Sequence, residues 1–108
     1  MTDSIAVIRL SGELEIGRRD EIAAALQLTG NESAILLDCS EVTYADSTSL
    51  AELLRFREEA ASRTVRIAIV IASRQFARII QYAGLDHAFR IFESRAAALT
   101  DLAKGAAE

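Results

Sequence analysis

Apolar and polar positions divide the chain into segments of two different periods. Ile5 to Leu10 is apolar on both faces except for Arg9, the pattern of a buried strand, and Ser11-Gly12 then supplies a turn signal. Leu14-Glu15-Ile16 follows as a further short strand ending at Gly17. From Arg18 the period lengthens. Ile22, Ala25, Leu26 and Thr29 share one helical face, and Gly30 stands where a left-handed cap would end the helix. Ala34 to Cys39 is a β-type run, and Val42 and Tyr44 extend an alternating pattern up to Ala45. A second helix is predicted to start within Asp46-Ser47-Thr48-Ser49 and to run to about Ser62. Its inward face is Leu50, Leu53, Leu54 and Ala61, interrupted by Arg57.

Val65 to Ala72 is a buried strand whose β-branched residues leave only Arg66 polar. Ser73 caps a third helix that faces inward with Phe76, Ile79, Ile80 and Ala83. Gly84 ends this helix, and Leu85 is placed to pack back on Ile80, as in a Schellman motif. Phe89-Arg90-Ile91-Phe92 is the last strand. Ser94 caps a final helix that buries Leu99, Leu102 and Ala103 and frays after Gly105.

Strands separated by single helices pair in parallel through right-handed crossovers. The short Ser11-Gly12-Glu13 connection instead favours an antiparallel start. The expectation is one α/β domain over residues 1–108, with a small mixed sheet of about five strands and about four helices. Val7, Ile8 and Leu14 would lie on an edge strand able to pair between chains; the pattern does not fix the oligomeric state.

Composition removes several function classes. Twelve Lys plus Arg, all arginine except Lys104, stand against sixteen Asp plus Glu, a net charge of -4. An acidic domain with scattered cations is not expected to bind nucleic acid, which requires neutralising many phosphates. Arg74 and Arg78 on the third helix read as a solvated face, with an acidic partner as the alternative. The longest apolar stretch, Ile67 to Ala72, is far below the ~18 residues of a membrane span, so no direct membrane insertion is expected. Met1-Thr2-Asp3-Ser4 carries no signal-peptide pattern, and a cytoplasmic protein is the expectation. Cys39 is the only cysteine, which excludes an internal disulfide, and its place in an apolar strand fits an inert buried thiol. His87 is the only histidine and reads as a surface loop residue. Asp38 is expected at the C-terminal edge of the sheet or capping the loop that follows.

The informative segment is Val42 to Leu50, which joins a central strand to a helix. Asp46, Ser47, Thr48 and Ser49 are four consecutive small polar residues at a helix start, where one cap needs only one of them. Ser49-Leu50-Ala51-Glu52 alone fits a capping box. The alternative is a phosphoacceptor, because a helix N-terminus with free N–H groups tolerates phosphate, and an exposed hydroxyl there is accessible to a kinase.

In these segments the chain resembles the STAS domain family, the fold of bacterial anti-sigma factor antagonists. Leu10-Ser11-Gly12-Glu13-Leu14-Glu15 is similar to the family's Leu-x-Gly-Glu-Leu-Asp pattern, with Glu15 replacing Asp. Leu37 to Thr48 resembles its signature strand and loop, with Ser49 where the family pattern has Gly. Gly84-Leu85 and Phe89 to Phe92 are similar to its later segments.

The resemblance implies a non-enzymatic binding module whose partner is an anti-sigma factor with serine kinase activity. Ser47 would be the phosphorylated residue, with Asp46, Thr48, Ser49 and Glu15 at the partner interface. ATP would belong to the kinase, so no cofactor or metal is expected on this chain. The resemblance also allows an accessory subunit of a phospholipid-transporting ABC system or a stress-signalling scaffold component. A phosphoaspartate receiver fits poorly, because the active-site lysine that such a fold carries after a late strand has no counterpart here. A small hydrolase using Asp46, Ser47 and His87 is the alternative from another class. It lacks both a Gly-rich phosphate loop and a Gly-x-Ser-x-Gly elbow.

Overall fold

The computed structural model describes residues 4–107. Four strands run β1 (Ile5–Leu14), β2 (Ala34–Ala45), β3 (Arg66–Ile71) and β4 (Arg90–Phe92). The helices are α1 (Arg19–Ala25), α2 (Ser47–Ser62), α3 (Arg74–Tyr82) and α4 (Arg95–Ala107), with a single 3₁₀ turn, Ile16–Arg18, before α1. The strands lie side by side in chain order, and all three pairings are parallel.

Three layers result. On one face Ile35, Leu37, Cys39, Ile69 and Ile71 meet Ile22 of α1, Leu53 and Phe56 of α2, and Phe76 and Ile80 of α3. On the other, Ala34, Leu36, Ala68 and Val70 receive Ala98 and Leu102 of α4. A central parallel strand covered on both faces must be apolar at consecutive positions, and Ala34 to Cys39 is buried almost without interruption.

The expected antiparallel start is not present. Ser11-Gly12 does not turn the chain back; β1 continues through it to Leu14, so the two predicted short strands are one and the described sheet has four strands, all parallel. The glycine is used differently. Gly12 takes φ +76, a left-handed conformation that side chains resist, where the β1–β2 register shifts. Arg9 pairs with Asp38 but Ser11 with Glu41, and Gly12 pairs with Val42 but Glu13 with Tyr44, so β2 absorbs an extra residue twice. Each extra residue exchanges the faces of the strand. The core side of β2 therefore passes from Ile35, Leu37 and Cys39 to Val42 and then to Ala45. A simple alternation through Tyr44 does not hold, and Tyr44 stays 36% exposed. Of the suggested edge-strand residues, Val7 is exposed, Ile8 is half-buried and Leu14 is fully buried.

The helices depart from expectation in detail. α1 stops at Ala25, and Gly30, although at φ +97, lies in the loop beyond. Leu26 and Leu28 both reach the core, a spacing of two that draws the chain out of the helix. α2 buries Ser49, Leu53, Phe56 and Ala60, leaving Leu50 and Leu54 half-buried and Ala61 exposed. The large Phe56 ring sets this phase. The ends of α3 are as predicted: Ser73 Oγ accepts from the Phe76 N–H at 3.1 Å, and Leu85 N–H returns to the Ile80 carbonyl at 3.0 Å. Of its expected inward face Phe76 and Ile80 are buried, Ile79 is half-buried and Ala83, beyond the last turn, is exposed. α4 is capped by Ser94 and buries Ala98 and Leu102, with Leu99 half-buried and Ala103 exposed; its backbone stays helical past Gly105 to Ala107.

Candidate functional site

Because every strand is parallel, the N-termini of α2, α3 and α4 all emerge at the C-terminal edge of the sheet. Two features of the doubly bulged β1–β2 pair carry it to that edge in register. Asp38, 3% exposed, fills the first irregularity by accepting the Ser40 N–H at 3.0 Å. Its other oxygen accepts from Arg95 of α4 at 2.7 Å and lies 3.7 Å from Arg9. Burial pushes the Asp38 carboxyl up, but the Ser40 hydrogen bonds and Arg95 outweigh it and hold the group below the usual carboxylate range. Asp38 therefore caps no loop, because β2 continues to Ala45; it braces the bulge inside the strand and ties α4 to the sheet. On β1, Arg18 donates to the carbonyls of Ser11 and Glu13 at 2.8 Å each, bracing the segment around Gly12.

At the end of β2, Asp46 performs two tasks. Its Oδ1 accepts the Ser49 N–H at 2.8 Å, which caps α2, and its Oδ2 accepts the Ile16 N–H at 2.9 Å, which pins the end of β1 against the helix start. The Ser49 backbone N–H is the main cause holding the Asp46 carboxyl below its ordinary range, with the Ser49 hydroxyl and the Ile16 N–H adding to it. The Asp46 carbonyl takes the Leu50 N–H at 2.9 Å. The capping box beginning at Ser49 is therefore not used; Asp46 is the cap.

Ser47 is the first residue of α2 and is exposed, and Thr48 is half-exposed. Their N–H groups belong to the first helical turn, where no carbonyl of the same helix can reach them. Ser49 is different. At 2% exposure it is turned inward beside the Asp46 carboxylate, so its side chain cannot touch a partner and the expectation for this residue is corrected. Where the family pattern has Gly, this chain has a hydroxyl that supports the cap. Glu15 is exposed at the same edge, next to the pinned Ile16. The structure therefore brings Glu15, Asp46, Ser47 and Thr48 together and withdraws Ser49 from the surface.

Sequence reasoning did not single out Ile16 for the site, yet it is 64% exposed and its backbone N–H is held by the Asp46 carboxylate. An isolated apolar residue before a glycine carries no periodic signal, so only the Asp46 bond reveals its place.

The remaining candidates lie elsewhere. His87 is in the loop entering β4, at the N-terminal edge of the parallel sheet, and its side chain is 92% exposed. Ser47 is at the opposite edge, so the Asp46, Ser47 and His87 set is not assembled. A cavity of ≈ 190 Å³ bounded by Arg57, Val65, Ile67 and Phe89 is also at the His87 end. Burial, with the neighbouring Asp38 charge, pushes the Cys39 thiol up to about 12, so it stays protonated and inert. Among the described residues no cluster of His, Cys, Asp and Glu could hold a metal, and no helix is long and apolar enough to cross a membrane.

Residues 1–103 match a family model described as Mlab, STAS domain. The chain belongs to the STAS domain family. It is 27% identical over 105 residues to the anti-sigma-F factor antagonist RsfB of Mycobacterium tuberculosis, covering 95% of this chain and 85% of that protein. The STAS fold is shared with a crystal structure of an anti-sigma factor antagonist from Mycobacterium paratuberculosis at TM-score 0.83 and 24% identity, covering 94% of this chain and 88% of that one. A sulfate transporter family protein from Wolinella succinogenes superposes at TM-score 0.80 and 19% identity, over 91% and 84% of the two chains.

Proposed function

We propose that this STAS domain is a cytoplasmic, non-enzymatic switch of the anti-sigma factor antagonist type. Unphosphorylated, it binds an anti-sigma factor that is also a serine kinase; phosphorylated on Ser47, it is released. The observation that carries this reading is the state of Ser47. It is exposed on the first turn of a 16-residue helix whose cap, Asp46, engages Ser49 and Ile16 and leaves the Ser47 and Thr48 N–H groups open. A phosphate there adds roughly -1.5 to -2 charge next to a partial positive helix end, which the fold accommodates. A partner fitted to a neutral hydroxyl does not. The 27% identical antagonist over nearly the full chain supports the same reading.

The STAS family match also leaves room for a second reading, in which the domain is an accessory subunit of a phospholipid-transporting ABC system. Affinity capture from native cytoplasm with the whole chain separates them. A kinase-type ATPase that then places phosphate on Ser47, mapped by mass spectrometry, supports the switch. Capture of an ABC ATPase with no phosphate on the chain overturns it.

A further inference from the structure

Eleven arginines serve this acidic chain, and nine have a partner within it. Arg9 and Arg95 meet Asp38, Arg18 meets Glu21, Arg19 and Arg55 meet Glu52, Arg63 meets Glu59, and Arg90 meets Asp101. Arg57 donates to the Ala88 carbonyl and Arg66 to that of Leu102. Among the described residues only Arg74 and Arg78 meet neither a carboxylate nor a carbonyl, and both are exposed on α3.

Their placement is unfavourable for the helix itself. Arg74 is the first residue of α3, where a cation opposes the helix dipole, and that turn has no acidic residue. The other two helices that begin with arginine compensate: Arg19 has Asp20 and Glu21 in its turn and Glu52 at 3.9 Å, and Arg95 has Asp38 at 2.7 Å. A locally costly choice without an internal partner marks a site kept for something outside the chain. One helical repeat beyond Arg78 is Tyr82, 82% exposed. Spacings of four put Arg74, Arg78 and Tyr82 in one stripe about 12 Å long. Phe76 and Ile80, buried on the opposite side, fix the rotation of that stripe.

We propose that the outer face of α3, a stripe that starts at the same sheet edge as Ser47 and runs away from it, is a docking surface for an acidic protein segment with an apolar anchor. The guanidinium fork matches a carboxylate bidentately, and an exposed tyrosine offers a rigid amphipathic contact. The net charge of -4 repels an acidic partner elsewhere and steers it to this stripe. A membrane is the poorer occupant, since anionic bilayers recruit clusters of about four to eight cations and this face has two on an acidic domain.

The test uses the isotope-labelled whole chain, titrated with a helical peptide bearing glutamates and a leucine one turn apart, with the glutamine version of that peptide, and with phosphatidylserine vesicles. The glutamate peptide should shift amides along α3, lose affinity with added salt, and bind roughly tenfold more weakly to R74Q/R78Q. Ser47→Asp should leave this binding unchanged, which keeps it distinct from the phosphorylation switch. R74Q should also melt no lower than wild type. No binding of the glutamate peptide, equal binding of the glutamine peptide, shifts centred on Ser47, vesicle binding without peptide binding, or a lower melting point for R74Q would each overturn the proposal.

Discussion

Thr64 occupies a position that its side chain disfavours. α2 ends in a Schellman arrangement, with Val65 N–H on the Ala60 carbonyl at 2.9 Å and Thr64 N–H on the Ala61 carbonyl at 3.1 Å. The residue that closes such a motif is left-handed and usually glycine. Here it is a β-branched threonine at φ 58. That conformation costs an L-residue about 1–2 kcal/mol. Thr64 is exposed and makes no side-chain hydrogen bond, so nothing local offsets the cost. Thr64→Gly removes it, and the greater freedom of glycine in the unfolded chain returns about 0.5–1 kcal/mol. The net expectation is a gain of about 0.5–1 kcal/mol, or a melting temperature higher by roughly 3–6 °C. Thr64→Ala keeps the left-handed strain and should change little. Urea unfolding of the three proteins, checked by thermal melts, decides the matter. A Thr64→Gly midpoint at or below wild type, or a gain matched by Thr64→Ala, would refute the assignment of strain to this turn.

Leu53→Ala and Ile80→Ala each empty a fully enclosed position, on two helices that cover the same face of the sheet, and should lose ~2–5 kcal/mol in urea unfolding; an unchanged midpoint would mean that these faces do not meet the sheet. Glu32 accepts from the Thr29 hydroxyl and the Thr29 and Gly30 N–H groups, and the Thr29 hydroxyl and Gly30 N–H are the main causes holding its carboxyl down to about 2. A carboxyl depressed on folding stabilises above its unfolded value and loses that contribution as pH falls through the folded one, here from about 4.5 to about 2. The stability difference between wild type and Glu32→Gln should therefore be full at neutral pH and shrink across that window; a pH-independent difference would contradict the hydrogen-bonded turn.

Where local chemistry and tertiary packing agree, the fold is legible from residues alone. Ser73, Gly84 and Leu85 bound α3 by capping rules that need no neighbour, and the polar cluster at residues 46–49 places the start of α2 for the same reason, though not which of its members is the cap. Ser11-Gly12 misleads because glycine punctuates both turns and bulges. The choice between them is made by β2, whose two extra residues and face changes have no periodic trace. The phase of α2 is lost similarly: Leu54 and Ala61 fit a helical stripe, but the bulk of Phe56 rotates the helix by one position. At the site, the cluster at residues 46–49 is visible as composition. Which members face outward is not, because Ser49 is drawn inward by a hydrogen bond and Ile16 is brought in from a segment 30 residues away.

The central claim is that charge at Ser47 controls partner binding without unfolding the domain. Calorimetric titration of the captured kinase partner with wild type, Ser47→Ala and Ser47→Asp, alongside thermal melts, tests it directly. Ser47→Ala should bind like wild type. Ser47→Asp should melt at or slightly above wild type, since a carboxylate in the first turn favours the helix dipole by ~0.3–1 kcal/mol. Its binding should fall by roughly a hundredfold or more, the cost of an unpaired charge buried at an interface. Equal affinities for Ser47→Asp and Ser47→Ala would contradict the account.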